Sequence, residues 1–237
     1  MKKYFFFLHT TIIANYRHCA NIQVHRCGRR FEQQTVYAIQ KGPKGYMWFL
    51  THDGIDRYSG KIQVLQLMDG DEEVNSMMNL NWLYVDPKGT IWEIGKKGRV
   101  FRYDTRHDRF VLVYKLPENE VKGRPTPISY GFVDANSVIW LCNEDALYLY
   151  DSNTQKVTFI QNEIKERITN IVQIDSTHFF IGTDIGIHYA ELENNVLTLS
   201  PCDQLDTLKV QINELYYHKP SRKVLSVLFN EEYLSMT

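Results

Sequence analysis

Apolar and polar residues alternate along most of this chain, and the alternation restarts at regular intervals. Five alternating runs, VYAIQ, NWLYV, ISYGFV, NIVQI and INELYY, each lead through a polar turn into a more apolar run: MWFL, IWEI, VIWLC, FFIG or VLSV. Tight turns follow (THDG, GKKG, NEDA, TDIG), then IDRY, VFRYD, LYLYD and IHYAEL. A fourth run closes the unit as KIQVLQL, RFVLVYKL, KVTFIQ or VLTLSP. A period of two is the mark of a half-buried strand, and Gly, Asp, Asn and Pro punctuate these runs as strand ends require. No segment holds a 3.6-residue apolar period over helix length. The pattern therefore predicts an all-β protein made of four-strand units.

The units superimpose on one large residue each. GPKGYMWFLTHDGIDRY carries Trp48, DPKGTIWEIGKKGRVFRY carries Trp92 and DANSVIWLCNEDALYLY carries Trp140. DSTHFFIGTDIGIHY has Phe180 in that role after losing one residue, and KPSRKVLSVLFNEEYL offers Leu225 in a degraded fifth copy. The sixth residue after each anchor follows a polar turn: Gly54, Gly98, Ala146, Gly186 and Glu231. A unit of about 44 residues with four antiparallel strands cannot bury both sheet faces alone, so units must stack as β-propeller blades. The aromatic anchors are expected to fill the gaps between blades, and the glycine of D-x-x-G to supply the positive φ of the first hairpin. About four complete blades and part of a fifth are expected within residues 34–237.

Composition narrows the function classes. A net charge of −1 and a pI near 6.7 give no overall field for nucleic acid or anionic lipid. No apolar run approaches the ~20 residues that a membrane-spanning helix needs. Residues 1–33 read as an export signal, MKKYFFFLHTTIIA, followed by an irregular arm; an ordinary first strand or a wrong start codon is the alternative. Cys19, Cys27, Cys142 and Cys202 form no C-x-x-C, and Cys142 reads as a small buried hydrophobe. His18, Cys19, His25 and Cys27 are all potential zinc ligands, but their spacing fits no finger, so no metal site is expected. Arg17, Arg26, Arg29 and Arg30 read as a solvated arm.

Catalytic motifs are not found. The D-x-x-G-x-x-W turns are off by one from the Asp-box of sialidases, and there is no G-x-S-x-G elbow, H-E-x-x-H or phosphate-binding glycine loop. Neither a catalytic residue nor a cofactor is expected. A ligand site is expected instead where the turns between second and third strands open on one propeller face. That places His52 and Asp53 (after Thr51) on one turn, Lys96 and Lys97 on the next, then Asn143, Glu144 and Asp145, then Asp184 after Thr183. Acid, base and amide in alternation suit sugar hydroxyls and uronic carboxylates, and the same residues are equally what solvated turns use.

QTVYAIQKGPKGYMWFLTHDGIDRYSG, at 34–60, resembles the first blade of the two-component regulator propeller repeat, V-x-x-I-x-x-D-x-x-G-x-x-W-x-G-T-x-x-G-L-x-x-Y-D. The second and third copies match nearly as well, the fourth keeps I-G-T-D-I-G-I, and the likeness covers roughly residues 34–230. The resemblance implies a periplasmic, non-enzymatic sensor region of a hybrid two-component system that detects glycan breakdown products and controls polysaccharide-utilisation genes. Relatives string blades into seven-bladed propellers followed by a β-sandwich, a membrane helix and a kinase. Seven such blades need ~310 residues. The chain is therefore expected to be an amino-terminal part of a sensor, an incomplete seven-bladed propeller. Its partners would be a sugar ligand and the missing blades or another copy of itself. It would meet a membrane only through segments beyond it. A propeller lyase or other propeller enzyme, and a protein-interaction scaffold, are the competing readings.

Overall fold

The computed structural model describes residues 35–74, 80–117, 127–200 and 210–228. The export-signal segment, the His18–Cys27 cluster, the arginine arm, Cys202 and Glu231 lie outside the described residues. Among those described, every regular element is a strand. The first sheet runs in order β1 (Val36–Lys41), β2 (Met47–Thr51), β3 (Gly54–Tyr58) and β4 (Ile62–Leu65). The second holds β5 (Leu67–Asp69), β6 (Glu72–Glu73), β7 (Leu80–Val85), β8 (Ile91–Gly95), β9 (Arg99–Asp104) and β10 (Arg109–Lys115). The third is β11 (Tyr130–Val133), β12 (Val138–Cys142), β13 (Ala146–Asp151) and β14 (Lys156–Gln161). The fourth is β15 (Ile168–Gln173), β16 (His178–Thr183), β17 (Ile187–Glu193) and β18 (Val196–Ser200). A fifth blade begins with the pair β19 (Ile212–His218) and β20 (Lys223–Leu228). Each first strand neighbours the first strand of the next blade, β1 with β7, β7 with β11, β11 with β15 and β15 with β19. This is the propeller architecture that the repeat predicts.

The anchors sit between sheets. Trp48 meets Tyr103 of the second sheet at 4.7 Å and Phe110 at 6.0 Å, both edge-on. Trp92 packs with Ile139, Leu141 and Tyr150 of the third. Trp140 lies 4.7 Å from Phe179 of the fourth. Phe180 packs with Ile212 and Leu215 of the fifth. Leu225 occupies the same position in the fifth blade but is 48% exposed. At the opposite end of the arc, Tyr37, Ile39, Tyr58 and Val64 are exposed on the first sheet. Ile39 stands opposite Phe49, as Leu83 stands opposite Glu93 one blade on, and there Leu83 is buried beneath Trp48. Both ends of the arc thus present faces that a neighbouring blade covers everywhere else.

Close packing of the first strands depends on glycine. A Cβ at Gly131 would stand 2.8 Å from Ile94 Cγ2 and 2.9 Å from Trp82 Cε3. Gly131→Ala is expected to cost about 1–3 kcal/mol through overpacking, seen as a lower thermal midpoint with an unchanged far-UV spectrum.

Two features depart from the sequence reading. KIQVLQL is not one strand: Leu65 ends β4, Gln66 interrupts, and Leu67 begins β5, which pairs parallel with β10 of the next blade. The Gln66 carbonyl accepts the Phe110 N–H at 2.8 Å. Leu65 and Leu67 are both buried between the first two sheets, so alternation continues unbroken while the chain changes sheets. With β6 paired to β5, the second sheet gains two outer strands and has six. The first D-x-x-G turns do use positive φ at Gly45 and Gly89, but in the third copy Ser137 adopts φ 63°.

The repeat aspartates have a role beyond the turn. Asp86 Oδ1 accepts the Thr90 N–H at 2.8 Å, and Oδ2 accepts Trp92 Nε1–H at 3.0 Å. Asp134 repeats this with Val138 N–H at 2.8 Å and Trp140 Nε1–H at 3.4 Å. The first copy has Gly42 here, and the Trp48 indole fills the vacated space: a Cβ on Gly42 would lie 2.5 Å from Trp48 Nε1.

Candidate functional site

The hairpin turns joining second to third strands and the segments leading into each first strand share one face of the arc, here the upper face. Backbone bonds tie them together. His52 N–H donates to Thr35 O (3.1 Å), Ile128 N–H to Lys96 O (2.8 Å), Asn162 N–H to Asp145 O (3.0 Å) and Asp184 N–H to Arg167 O (3.2 Å). Each of these turns is thereby tied to a segment entering a first strand.

Their side chains divide into braces and exposed groups. Thr51, Asn143 and Thr183 stand three residues past Trp48, Trp140 and Phe180 and are buried. Thr51 Oγ1 donates to Gly54 O at 3.0 Å. Asn143 Oδ1 accepts the N–H groups of Asp145 (2.9 Å) and Ala146 (2.7 Å). Asn143 is thus consumed by its own turn, 3% exposed. His52, Asp53, Lys96, Lys97, Glu144 and Asp145 are exposed, and Asp184 is half-buried. His52 Nδ1 lies 3.4 Å from Tyr37 Oη. Asp184 Oδ2 is 3.9 Å from Arg167 Nε.

The fourth blade adds a cluster that sequence reasoning did not assemble. Glu166 Oε2 accepts the Thr183 hydroxyl at 2.7 Å and lies 2.7 Å from His188 Nε2. A carboxylate only accepts, so His188 carries its proton on Nε2 in this pair. Glu166 precedes β15, in a connection without repeat character, and only its place four residues after Asn162 hints at the upper face. His188 lies two residues past Gly186, opposite Ile181, which packs with third-blade residues. Chemically this is a carboxylate held by two donors. Thr183 is fully buried and donates to the carboxylate, not to the imidazole, so the trio lacks the nucleophile–base bond of an acyl-transfer triad.

Cys142 is fully buried, as the sequence suggests, and burial pushes its thiol far above the usual range.

No family model matches this chain, and no curated protein matches it in sequence. Solved structures do match. The extracellular domain assigned to a hybrid two-component system of B. thetaiotaomicron is similar over 85% of this chain and 29% of its own length, at 16% identity and a TM-score of 0.56. A streptogramin B lyase is similar over 76% of this chain and 58% of its own, at 17% identity and a TM-score of 0.55. The chain thus spans less than a third of the first neighbour and less than two thirds of the second. The likeness is one of fold, a blade architecture shared with that extracellular domain and with the lyase.

Proposed function

We propose that this chain is part of the ligand-sensing propeller of a two-component signalling system, acting in the periplasm and recognising glycan breakdown products on its upper face. Polysaccharide-utilisation genes are the output, reached through domains beyond this chain. The supporting observation is the set of exposed polar groups, His52, Asp53, Lys96, Lys97, Glu144 and Asp145, carried on three turns, two of which are fixed by the buried braces Thr51 and Asn143. Fixed turns lower the ordering cost of binding, and paired donors and acceptors match sugar hydroxyls. Asn143 holds Glu144 and Asp145 in place instead of meeting the sugar. The likeness in fold to an extracellular sensor domain supports the same reading. The exposed faces at Tyr37 and Ile39 and at Leu225 are proposed to meet further blades of the same architecture, because that is what covers the equivalent faces inside the arc.

The test is calorimetric titration with neutral xylo-, manno- and malto-oligosaccharides. Saturable heat that falls at least tenfold in affinity in Glu144→Ala/Asp145→Ala is expected. Turnover of a sugar would establish the enzyme reading in its place, and silence across the panel would remove the glycan assignment.

A further inference from the structure

On the lower face, opposite the turns just described, an open cleft of about 390 Å³ lies in the second blade between the β7–β8 turn and the β9–β10 turn. Lys88 and Thr90 come from one side, and Arg102, Asp104, Thr105 and Arg106 from the other. Three cations and one carboxylate line it. The carboxylate is already engaged: Asp104 Oδ1 accepts the Arg106 backbone N–H at 2.9 Å, and Oδ2 lies 2.6 Å from His107 Nδ1. Among the described residues none of the three cations has a carboxylate partner. Lys88 Nζ donates to Asn153 Oδ1 at 2.8 Å, a neutral acceptor that leaves it further donors.

The first blade shows what the repeat does when such a cation is structural. Arg57 occupies the position of Arg102, each opposite its blade's tryptophan. Arg57 is locked by Asp108 at 2.5 and 3.0 Å and by Tyr103 Oη at 2.6 Å, and it lies over the Tyr46 and Trp48 rings. In the third and fourth blades the position is apolar or aromatic, Leu149 and Tyr189. Blade packing therefore does not require a cation at Arg102, and no clamp neutralises the one present.

We infer that this cleft is an oxyanion-binding site for a carboxylate- or sulfate-bearing sugar, separate from the upper-face site. Arg102 and Arg106 supply forked donors, Lys88 a third cation, and the Thr90 and Thr105 hydroxyls meet ring hydroxyls. The volume is at the low end for small-ligand sites and holds one or two sugar rings.

The whole chain is titrated, by calorimetry and amide NMR, with trigalacturonate, a monosulfated disaccharide, inorganic sulfate and neutral xylotriose. The acidic sugars are expected to bind with an affinity that falls severalfold between low and physiological salt, and to shift amides at 88–90 and 102–106. Arg102→Ala/Arg106→Ala should lose at least tenfold, with unchanged circular dichroism, while Glu144→Ala/Asp145→Ala keeps this binding. Shifts confined to the upper-face turns, or binding untouched by the arginine variant, would overturn the site. Sulfate binding as tight as the sugars, or xylotriose shifting the amides at 88–90 and 102–106 as trigalacturonate does, would overturn its assignment to an acidic sugar. Because the two variants act on opposite faces, the upper-face reading can fail without this one, and the reverse.

Discussion

Trp140→Ala is expected to lower the free energy of unfolding by about 3–5 kcal/mol, measured by urea titration. Trp140 is wholly buried between the third and fourth sheets, 4.7 Å from Phe179 and 6.2 Å from Phe132. Truncation removes this area from the junction, leaves a cavity between two rigid sheets that cannot collapse independently, and deprives Asp134 of its indole donor. In a stack where each unit touches only its neighbours, the loss should stay local. Hydrogen exchange is expected to accelerate in β12, β13, β16 and β17 ahead of β1 to β3. Leu225→Ala supplies the control. It changes the same repeat position, but its side chain is 48% exposed, so a cost below about 1 kcal/mol is expected. Equal costs at the two positions would refute the idea that anchors act by filling the space between blades.

The difference between these two positions explains how much could be read from the chain. Strand existence and order follow from alternation and turn residues, both local, and the repeat makes each copy a check on the others. The inter-sheet place of Trp48, Trp92 and Trp140 follows because an aromatic at a fixed step of about one blade has one geometric use. What escaped was non-local. Leu65-Gln66-Leu67 alternates correctly whether the chain stays in the first sheet or moves to the second, so the parallel pairing of β5 with β10 leaves no mark on the pattern. In the candidate site, the exposed turn residues were legible because turns are short and polar. The burial of Asn143 was not legible, because composition does not separate a solvated turn amide from one accepting two N–H bonds beneath the surface. Glu166 and His188, 22 residues apart, meet only through the fold.

The aspartates of the repeat carry the second large effect. Asp86→Ala is expected to cost about 2–3 kcal/mol, because it orphans the buried Trp92 Nε1–H, worth ~1–3 kcal/mol when left unsatisfied, and the partly buried Thr90 N–H, worth less. The isosteric Asn substitutions separate charge from shape. At Asp86 burial opposes ionisation, but the bonds from Trp92 and Thr90 prevail and hold the carboxyl below its ordinary value. Its contribution is present in full above that ordinary value and is lost as pH falls through the lower folded one. At Asp134 burial prevails over its bonds, with the indole farther away at 3.4 Å, and the carboxyl is pushed up. The sign reverses: its contribution is present below the ordinary value and is lost as pH rises through the higher folded one. Asp86→Asn should therefore be less stable than the parent protein at pH 6 and approach it as pH falls toward 3, whereas Asp134→Asn should match or exceed the parent at pH 6 and lose that advantage in acid. Urea midpoints at the two pH values decide it. Parallel responses would mean that the two copies share one electrostatic environment, against the difference in indole distance that separates them.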